Sequence, residues 1–264
     1  MSTIKNHINT YADLTAYNAD LNKEYPNISY IQGTGKVKYS NPVVYATFNL
    51  TSSTKVVVTY NPAAFAKIEL NGQEIELVDT YKYDFGARGT YTLKYTLVSE
   101  TEIPEKTWGW CYEIISMTDI PKTITRIGRS AFLGCNFGRF TIPSGVTSIG
   151  DSAFQSCQYL RSITIPNNVT SIGGYAFNTC IALRNVTIPS SVTSIGSSAF
   201  EYCGSTTGKC TFTILATTPP TLENDYTVFT TARVEAIYVP AESVNAYKTA
   251  QNWTTWADLI QPIP

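Results

Sequence analysis

The segment Val146-Thr-Ser-Ile-Gly-Asp-Ser-Ala-Phe-Gln-Ser-Cys-Gln-Tyr-Leu-Arg-Ser-Ile-Thr-Ile-Pro166 is one copy of a unit that the chain repeats. The same residue types return every 22 or 23 positions in a single register. The recurring positions are Gly128, Gly150, Gly173 and Gly196; Phe132, Phe154, Phe177 and Phe200; Cys135, Cys157, Cys180 and Cys203; and Pro143, Pro166 and Pro189. A period of roughly 20 to 50 residues indicates a stack of similar coils rather than one compact core.

Each unit predicts a short strand followed by a tight corner. Leu160–Ile165 alternates apolar and polar residues, as a half-buried strand does, and Pro166 ends it because proline cannot donate to a β-ladder. Gly173 suits the corner, and the segment 175–180 suits one turn of α- or 3₁₀-helix. One coil cannot bury its own apolar side, so coils stack with parallel strands about 4.8 Å apart. Ladders of Ile, Phe and Cys should result.

The six cysteines could suggest disulfides or a metal site, but their spacing favours neither. No pair has the two-to-four-residue spacing of a zinc site, and the only histidine, His7, is remote. The four cysteines of the repeat are predicted to be buried free thiols, because identical ladder positions rarely supply disulfide geometry. No metal and no cofactor is predicted.

The repeat resembles the BspA-type leucine-rich repeats of bacterial surface proteins, such as those of Bacteroides and Treponema. The matching segments are 146–166, 169–189 and 192–203, with a degraded unit at 124–143 and a strand half at 114–121. The end of the chain also resembles that family, and a helix over 241–250 with Trp253 and Trp256 is predicted to cap the open core. The resemblance implies a surface-exposed role in adhesion or recognition.

The first 112 residues lack the repeat and predict a different module. Tyr11, Leu14, Leu21 and Tyr25 mark one face of a helix that Pro26 ends. Strand patterns follow at 43–49, 55–60, 66–70, 73–77 and 90–97, and Asn71-Gly72 is a two-residue hairpin signal. The predicted fold class is α+β: an N-terminal helix plus a small antiparallel β-sandwich over 1–112, Ig-like by analogy, then a short leucine-rich-repeat solenoid with a parallel β-sheet over 113–264.

Composition narrows the classes of function. The chain has 264 residues, 15% charged residues and a net charge of −1, which argues against electrostatic binding of nucleic acid. No apolar run reaches the roughly 18 residues of a membrane span. The first residues lack the apolar stretch of a secretory signal, so either the chain is not exported by that route or its start has been trimmed. With the family resemblance, a cell-surface or secreted location is expected.

Catalytic machinery is not apparent in the sequence. His7 has no flanking residues that suggest a triad, and between Lys122 and Lys209 the only acidic residues are Asp151 and Glu201. We therefore predict no catalytic residues and no enzyme activity.

Charge in the repeat region is asymmetric, with seven basic and two acidic residues from 122 to 209. Arg139, Arg161 and Arg184 each follow the cysteine of their coil by four residues, although a one-residue deletion blurs the register of Arg139. Such a row is a candidate anion site, and the alternative is a solubilising edge. Outward strand positions predict a hydrogen-bonding surface of Ser162, Thr164, Asn185, Thr187 and Thr141. Tyr159 and Phe137, equivalent by distance from their cysteines, are candidate rim anchors or core residues.

Three hypotheses of function remain at this point. The first is a non-enzymatic cell-surface adhesion or recognition protein that binds a host or bacterial protein or glycan, possibly anionic, through the repeat surface. The second is a structural or tail-associated component of a phage or secreted particle. The third is a carbohydrate-binding accessory module that acts through the sandwich. Nucleic acid is not an expected partner in any of them.

Overall fold

The computed structural model describes residues 28–31, 36–39, 42–77, 81–118, 120–205, 207–223, 227–230 and 233–264. The predicted N-terminal helix and His7 lie outside these residues. The strands are β1 (Ile28–Ile31), β2 (Lys36–Tyr39), β3 (Val43–Leu50), β4 (Lys55–Val57), β5 (Phe65–Leu70), β6 (Gln73–Glu74), β7 (Lys82–Asp84), β8 (Gly89–Leu97), β9 (Glu102–Ile103), β10 (Ile114–Thr118), β11 (Arg126–Ile127), β12 (Arg139–Thr141), β13 (Ser148–Ile149), β14 (Ser162–Thr164), β15 (Ser171–Ile172), β16 (Asn185–Ile188), β17 (Ser194–Ile195), β18 (Cys210–Ile214), β19 (Thr221–Leu222), β20 (Val234–Val239) and β21 (Ile260–Pro262). One α-helix, α1 (Val244–Thr249), and 3₁₀ turns at Pro62–Ala64, Ala241–Ser243 and Thr254–Leu259 complete the described elements.

The N-terminal part is built around a five-stranded antiparallel sheet in the order β10-β3-β8-β5-β6. Alternate residues of β3 and β8 are buried, because one face of each strand lies on the core. Asn71 and Gly72 join β5 to β6 with φ angles of 53° and 78°, which confirms the predicted two-residue hairpin.

A two-stranded antiparallel ribbon of β4 and β7 packs on this sheet. Phe85, directly after β7, contacts Phe48 and Tyr91 with ring centroids 6.1 and 4.5 Å apart. The buried Tyr95 hydroxyl donates to the Val58 carbonyl at 2.8 Å. The described residues therefore form one sheet covered by a ribbon, and the β-sandwich remains a prediction.

The repeat region is a parallel β-solenoid with two six-stranded sheets. We call the sheet in the order β12-β14-β16-β18-β20-β21 the long-strand sheet. The sheet in the order β19-β17-β15-β13-β11-β9 is the short-strand sheet. Register is uniform between repeats: Ile163 pairs with Val186 in the long-strand sheet, and Ile149 pairs with Ile172 in the short-strand sheet. The sequence predicted the first sheet, whereas the second was read only as a turn.

The third side of each coil, which we call the turn side, runs from the corner glycine to the cysteine and is not helical. Its N–H groups alternate between partners: those of Tyr175, Phe177 and Thr179 donate to the next coil at 2.8 Å. Those of the intervening residues bond within their own coil. Tyr175 and Thr179 have φ angles of 58° and 61°, which turn the chain away from helix geometry. The prediction of a helical turn at 175–180 is therefore wrong, because bonding between coils replaces bonding along a helix.

A continuous column of rings fills the solenoid core. Phe132, Phe154, Phe177, Phe200 and Phe229 stack in sequence with centroids 5.1–5.8 Å apart and interplanar angles of at most 17°. Trp108 stacks on the first ring at 5.4 Å, and Trp256 meets the last edge-on at 5.2 Å. Both tryptophans are fully buried, and the burial of Trp256 confirms the predicted C-terminal cap.

The cysteines form a second ladder beside the rings. Each Sγ donates to the main-chain carbonyl of the ring residue in the preceding coil at 3.2 Å, as Cys157 does to Phe132 and Cys180 to Phe154. All six cysteines are buried and free, which confirms the prediction for the four cysteines of the repeat. Burial raises the pKa of the ladder thiols well above its ordinary value, since a thiolate would lose its solvation there.

The two parts of the chain interlock around residues 100–118. Strand β9 already pairs with β11 in the short-strand sheet, yet the later strand β10 pairs antiparallel with β3. The segment 114–121, read from sequence as half of a repeat, therefore starts in the N-terminal sheet. Phe65 and Tyr95 of that sheet contact Trp108 at 5.4 and 5.5 Å, so one apolar core runs through both parts.

Glycines of the repeat region should tolerate substitution only where their Cα does not touch the neighbouring coil. A Cβ on Gly173 would lie 2.6 Å from the Asp151 main-chain nitrogen, whereas a Cβ on Gly138 would meet nothing within 4 Å. We expect Gly173→Ala to lower the free energy of unfolding by about 1–3 kcal/mol or more. Gly138→Ala, the matched control, should change it by no more than about 1 kcal/mol. Urea denaturation measures both, and equal effects would contradict the close stacking.

Stability should fall as pH rises through the alkaline range. In the folded protein, the thiols of Cys135, Cys157, Cys180 and Cys203 have pKa values raised above the ordinary 9.0. Their contribution to the free energy of unfolding is therefore complete below pH 9. It is lost above pH 9, because the unfolded chain then releases protons that the folded chain retains. Urea denaturation at pH 8 to 10 should show this loss, and the variant Cys157→Ala, Cys180→Ala should show a shallower one. Identical slopes in both proteins would refute the assignment.

Candidate functional site

The outward face of the long-strand sheet carries two straight rows of polar side chains. Arg139, Ser162 and Asn185 align in one row, which continues to Thr211. Thr141, Thr164 and Thr187 align in the other row, which continues to Thr213. The residues of the first three strands are exposed in both rows, because alternate strand positions face solvent while Phe140, Ile163 and Val186 face the core. The structure thus brings the predicted polar residues together on one face.

The three arginines do not form one row. Pairing of Arg139 with Ser162 places Arg139 one position along the strand from Arg161, because the deletion lies between Cys135 and the strand. Arg161 and Arg184 are equivalent, since each precedes the residues that pair, Ser162 and Asn185. The arginine row therefore has two members, with Arg139 beside them on the strand face.

The same deletion separates Phe137 from Tyr159. Counted back from the paired strands, Phe137 takes the position of Leu160 and is fully buried. Tyr159 is 60% exposed, so only Tyr159 can serve as a surface anchor. Counting from the cysteine made the two residues look equivalent. The strand register shows that they are not.

The three arginines differ in whether their guanidinium groups form hydrogen bonds within the protein. Arg184 donates through Nη1 to the carbonyls of Ile181 and Leu183, both at 3.0 Å. Its guanidinium also lies against the main chain at Gly208, in the loop that interrupts the repeat. The guanidinium groups of Arg139 and Arg161 make no hydrogen bond or ion pair with the residues that the structure describes, and both side chains are exposed. Those two arginines are available to a ligand.

Arg139 also borders a cavity of about 830 Å³ where β10 meets the long-strand sheet. We call it the β10–β14 cleft. Its lining is Met117, Thr118, Ile120, Lys122, Arg139, Phe140, Thr141, Ile142, Pro143, Ser144, Thr164, Ile165, Pro166, Asn167 and Asn168. Among these, the charged residues are Lys122 and Arg139. Asp119, between Thr118 and Ile120, lies outside the described residues.

Of the predicted site residues, Arg139 and Thr164 line the β10–β14 cleft, and Thr141 joins them. Ser162, Asn185, Thr187, Arg161 and Arg184 lie outside it, on or beside the same sheet face. Lys122 was not singled out from sequence. Its position just after Pro121, at the end of a strand pattern, is the signal that could have placed it.

The chemistry of this face is hydrogen bonding and positive charge. Hydroxyls and amides donate and accept, and guanidinium groups pair with carboxylate, sulfate or phosphate oxygens. Two other basic residues of the repeat region are paired elsewhere, Arg126 with Glu102 at 3.6 Å and Lys209 with Glu235 at 3.8 Å. Within the described ranges, no group of three or more His, Cys, Asp or Glu side chains could hold a metal ion. In the same ranges, no helix has the length and apolar character to cross a membrane.

Comparison with known proteins agrees with this architecture. The family model for the BspA type leucine rich repeat region matches residues 100–217 in six copies. No curated protein matches the chain. A crystal structure of a leucine-rich repeat protein from Bacteroides ovatus is 29% identical over 53% of this chain and 41% of that protein, with a TM-score of 0.36.

A second similar structure is a leucine rich cell surface protein from Faecalibacterium prausnitzii. It is 20% identical over 62% of this chain and 61% of that protein, with a TM-score of 0.30. The chain thus spans less than two thirds of either protein, and the family assignment depends on the repeat itself. With six matched copies and a parallel solenoid built from them, residues 100–217 are a BspA-type leucine-rich repeat region.

Proposed function

We propose that this protein is a non-enzymatic recognition protein of the cell surface that binds an anionic protein or glycan. The binding surface is the outward face of the long-strand sheet together with the β10–β14 cleft. The observation that carries the proposal is the state of Arg139 and Arg161. Both side chains are exposed, and neither guanidinium group has a partner among the described residues.

The shape of the face supports recognition rather than catalysis. Straight rows of hydroxyl and amide groups present donors and acceptors at regular spacing, and small side chains lose little conformational entropy on binding. The cleft at one end supplies depth, with Lys122 and Arg139 at its border. Binding energy at such surfaces concentrates in a few anchors, of which arginine is a preferred type.

Charge distribution supports an anionic ligand. The segment from 122 to 209 carries seven basic and two acidic residues, while the remaining chain carries 12 basic and 18 acidic ones. The described salt bridges nearby involve Arg126 on the short-strand sheet and Lys209 beyond the third long strand. Among the described residues, the positive charge on the outward face is therefore concentrated where no salt bridge to a carboxylate compensates it.

The test is binding to heparin, used as a model polyanion, at several salt concentrations. An exposed ion pair is worth up to about 1 kcal/mol, so Arg139→Ala combined with Arg161→Ala should weaken binding roughly tenfold. The salt dependence of the dissociation constant should become shallower at the same time.

Arg129→Ala is the control for loss of a positive charge outside the long-strand face, since Arg129 is exposed on the turn side. It should leave heparin affinity within about twofold of the unsubstituted protein, because surface charges more than about 8 Å away are largely screened at physiological salt. If Arg129→Ala weakens binding as much as the double substitution, the long-strand sheet is not the binding surface.

A further inference from the structure

A second surface lies where the turn side of the first three coils ends, at the residues on either side of their cysteines, and is chemically unlike the long-strand face. It is a cavity of about 410 Å³ lined by Trp110, Tyr112, Asn136, Ser156, Gln158 and Tyr159. We call it the aromatic cleft. Its volume falls in the range of roughly 300–1,000 Å³ that is typical of small-molecule sites.

The aromatic cleft exists because one coil departs from the repeat. The residue before each cysteine has a positive φ, and it is Trp110, Gly134 and Ser156 in the first three coils. Gly134 has no side chain, and a Cβ there would lie 3.1 Å from the rings of both Trp110 and Tyr112. The two rings therefore rest over the Gly134 main chain, where a larger residue would displace them.

The shortened second coil opens the opposite wall. The residue missing between Cys135 and the strand leaves that coil one residue short after the turn side, with Phe137 in the core. The ring of Tyr159 in the third coil is 60% exposed. Trp110 and Tyr112 on the other wall are 41% and 49% exposed, with ring centroids 5.7 Å apart. Three large aromatic rings thus line one concave site.

The lining of the aromatic cleft carries no formal charge and has unused hydrogen-bonding groups. The side chains of Asn136, Ser156 and Gln158 form no hydrogen bond with any residue in the described part of the chain, and neither do the Tyr112 and Tyr159 hydroxyls. Beyond Trp110 and Tyr112 the surface continues into a cavity of about 400 Å³ that includes Tyr60 and also the charged residues Lys55, Lys82 and Glu113. A ligand longer than the first cavity can therefore follow the aromatic ridge.

We propose that the aromatic cleft binds a neutral oligosaccharide. Pyranose rings present C–H faces that pack on aromatic rings, and their hydroxyls both donate to and accept from amides such as those of Asn136 and Gln158. The lining offers no charged side chain to pair with an anionic group, which favours an uncharged ligand. The site is separate from the long-strand face, so it adds a second specificity to the one proposed above.

Trp110 provides a direct readout. The chain has four tryptophans, and Trp108, Trp253 and Trp256 are fully buried while Trp110 is 41% exposed. Acrylamide quenching of tryptophan fluorescence therefore reports mainly on Trp110. Maltohexaose, cellohexaose, mannohexaose and β-1,4-galactotetraose serve as neutral probes, and a heparin hexasaccharide serves as the anionic probe, each at millimolar concentration.

At least one neutral probe should protect Trp110 from acrylamide, and the heparin hexasaccharide should not. Tyr159→Ala should weaken binding of that neutral probe about tenfold, since exposed aromatic anchors dominate such sites. Tyr175→Ala is the matched control, because Tyr175 is 46% exposed on the turn side and does not line the cleft. Both tyrosines are at the surface, and unfolding curves of the two variants verify that each remains folded.

Three results would overturn the proposal. The first is the failure of all four neutral probes to protect Trp110. The second is protection by the heparin hexasaccharide alone. The third is equal loss of binding in Tyr159→Ala and Tyr175→Ala. None of these results depends on the arginines of the long-strand face, so the two proposals succeed or fail separately.

Discussion

The structure depends on main-chain hydrogen bonding between coils on all three sides of the solenoid. Two sides are parallel sheets, and the third is the turn side, where every second N–H donates to the neighbouring coil at about the same distance. A coil could not satisfy these groups alone, and an unpaired buried N–H is costly. The requirement for close approach explains the corner glycines. A Cβ on Gly150 would lie 2.9 Å from the Arg129 main-chain nitrogen of the coil before it.

Each residue type that recurs in the repeat has one structural role in the solenoid core. The phenylalanines stack within a column, and the thiols pair with carbonyls that the turn geometry leaves facing inward. Alanines such as Ala176 occupy the space beside the rings, where a larger side chain would separate the coils. Small changes in these positions would act on two neighbours at once, because each coil contacts the coils before and after it.

The sequence predicted the stacking correctly because its period reports core positions directly. The ring column and the free thiols of the repeat both follow from which residues recur. The short-strand sheet was missed because two-residue strands such as Ser148–Ile149 leave no alternation to detect. Strand β10 was assigned to the solenoid because its local pattern is a strand in either sheet. Only the tertiary pairing with β3 distinguishes the two.

The site residues were predictable in type but not in placement. Alternation identified Ser162 and Thr164 as outward-facing, which the structure confirms. Counting from Cys135 placed Arg139 in line with Arg161 and Phe137 in line with Tyr159. Counting from the paired strand separates both pairs. The sequence alone does not show whether residues should be counted from the cysteine or from the strand, because it does not show where between them the residue is missing. The structure settles this, since Phe137 occupies the buried position that Leu160 has in the next coil.

Deviations from the repeat therefore carry the information about binding. Packing restricts which residue types can occupy the core positions, so these residues differ little between coils. They therefore indicate the fold and carry no information about a ligand. Positions free of that constraint vary, and they vary most where the second coil is short and has Gly134 before its cysteine. That coil borders both the β10–β14 cleft, through Arg139, and the aromatic cleft, through Asn136. One irregular coil thus contributes to two concave surfaces, one basic and one neutral.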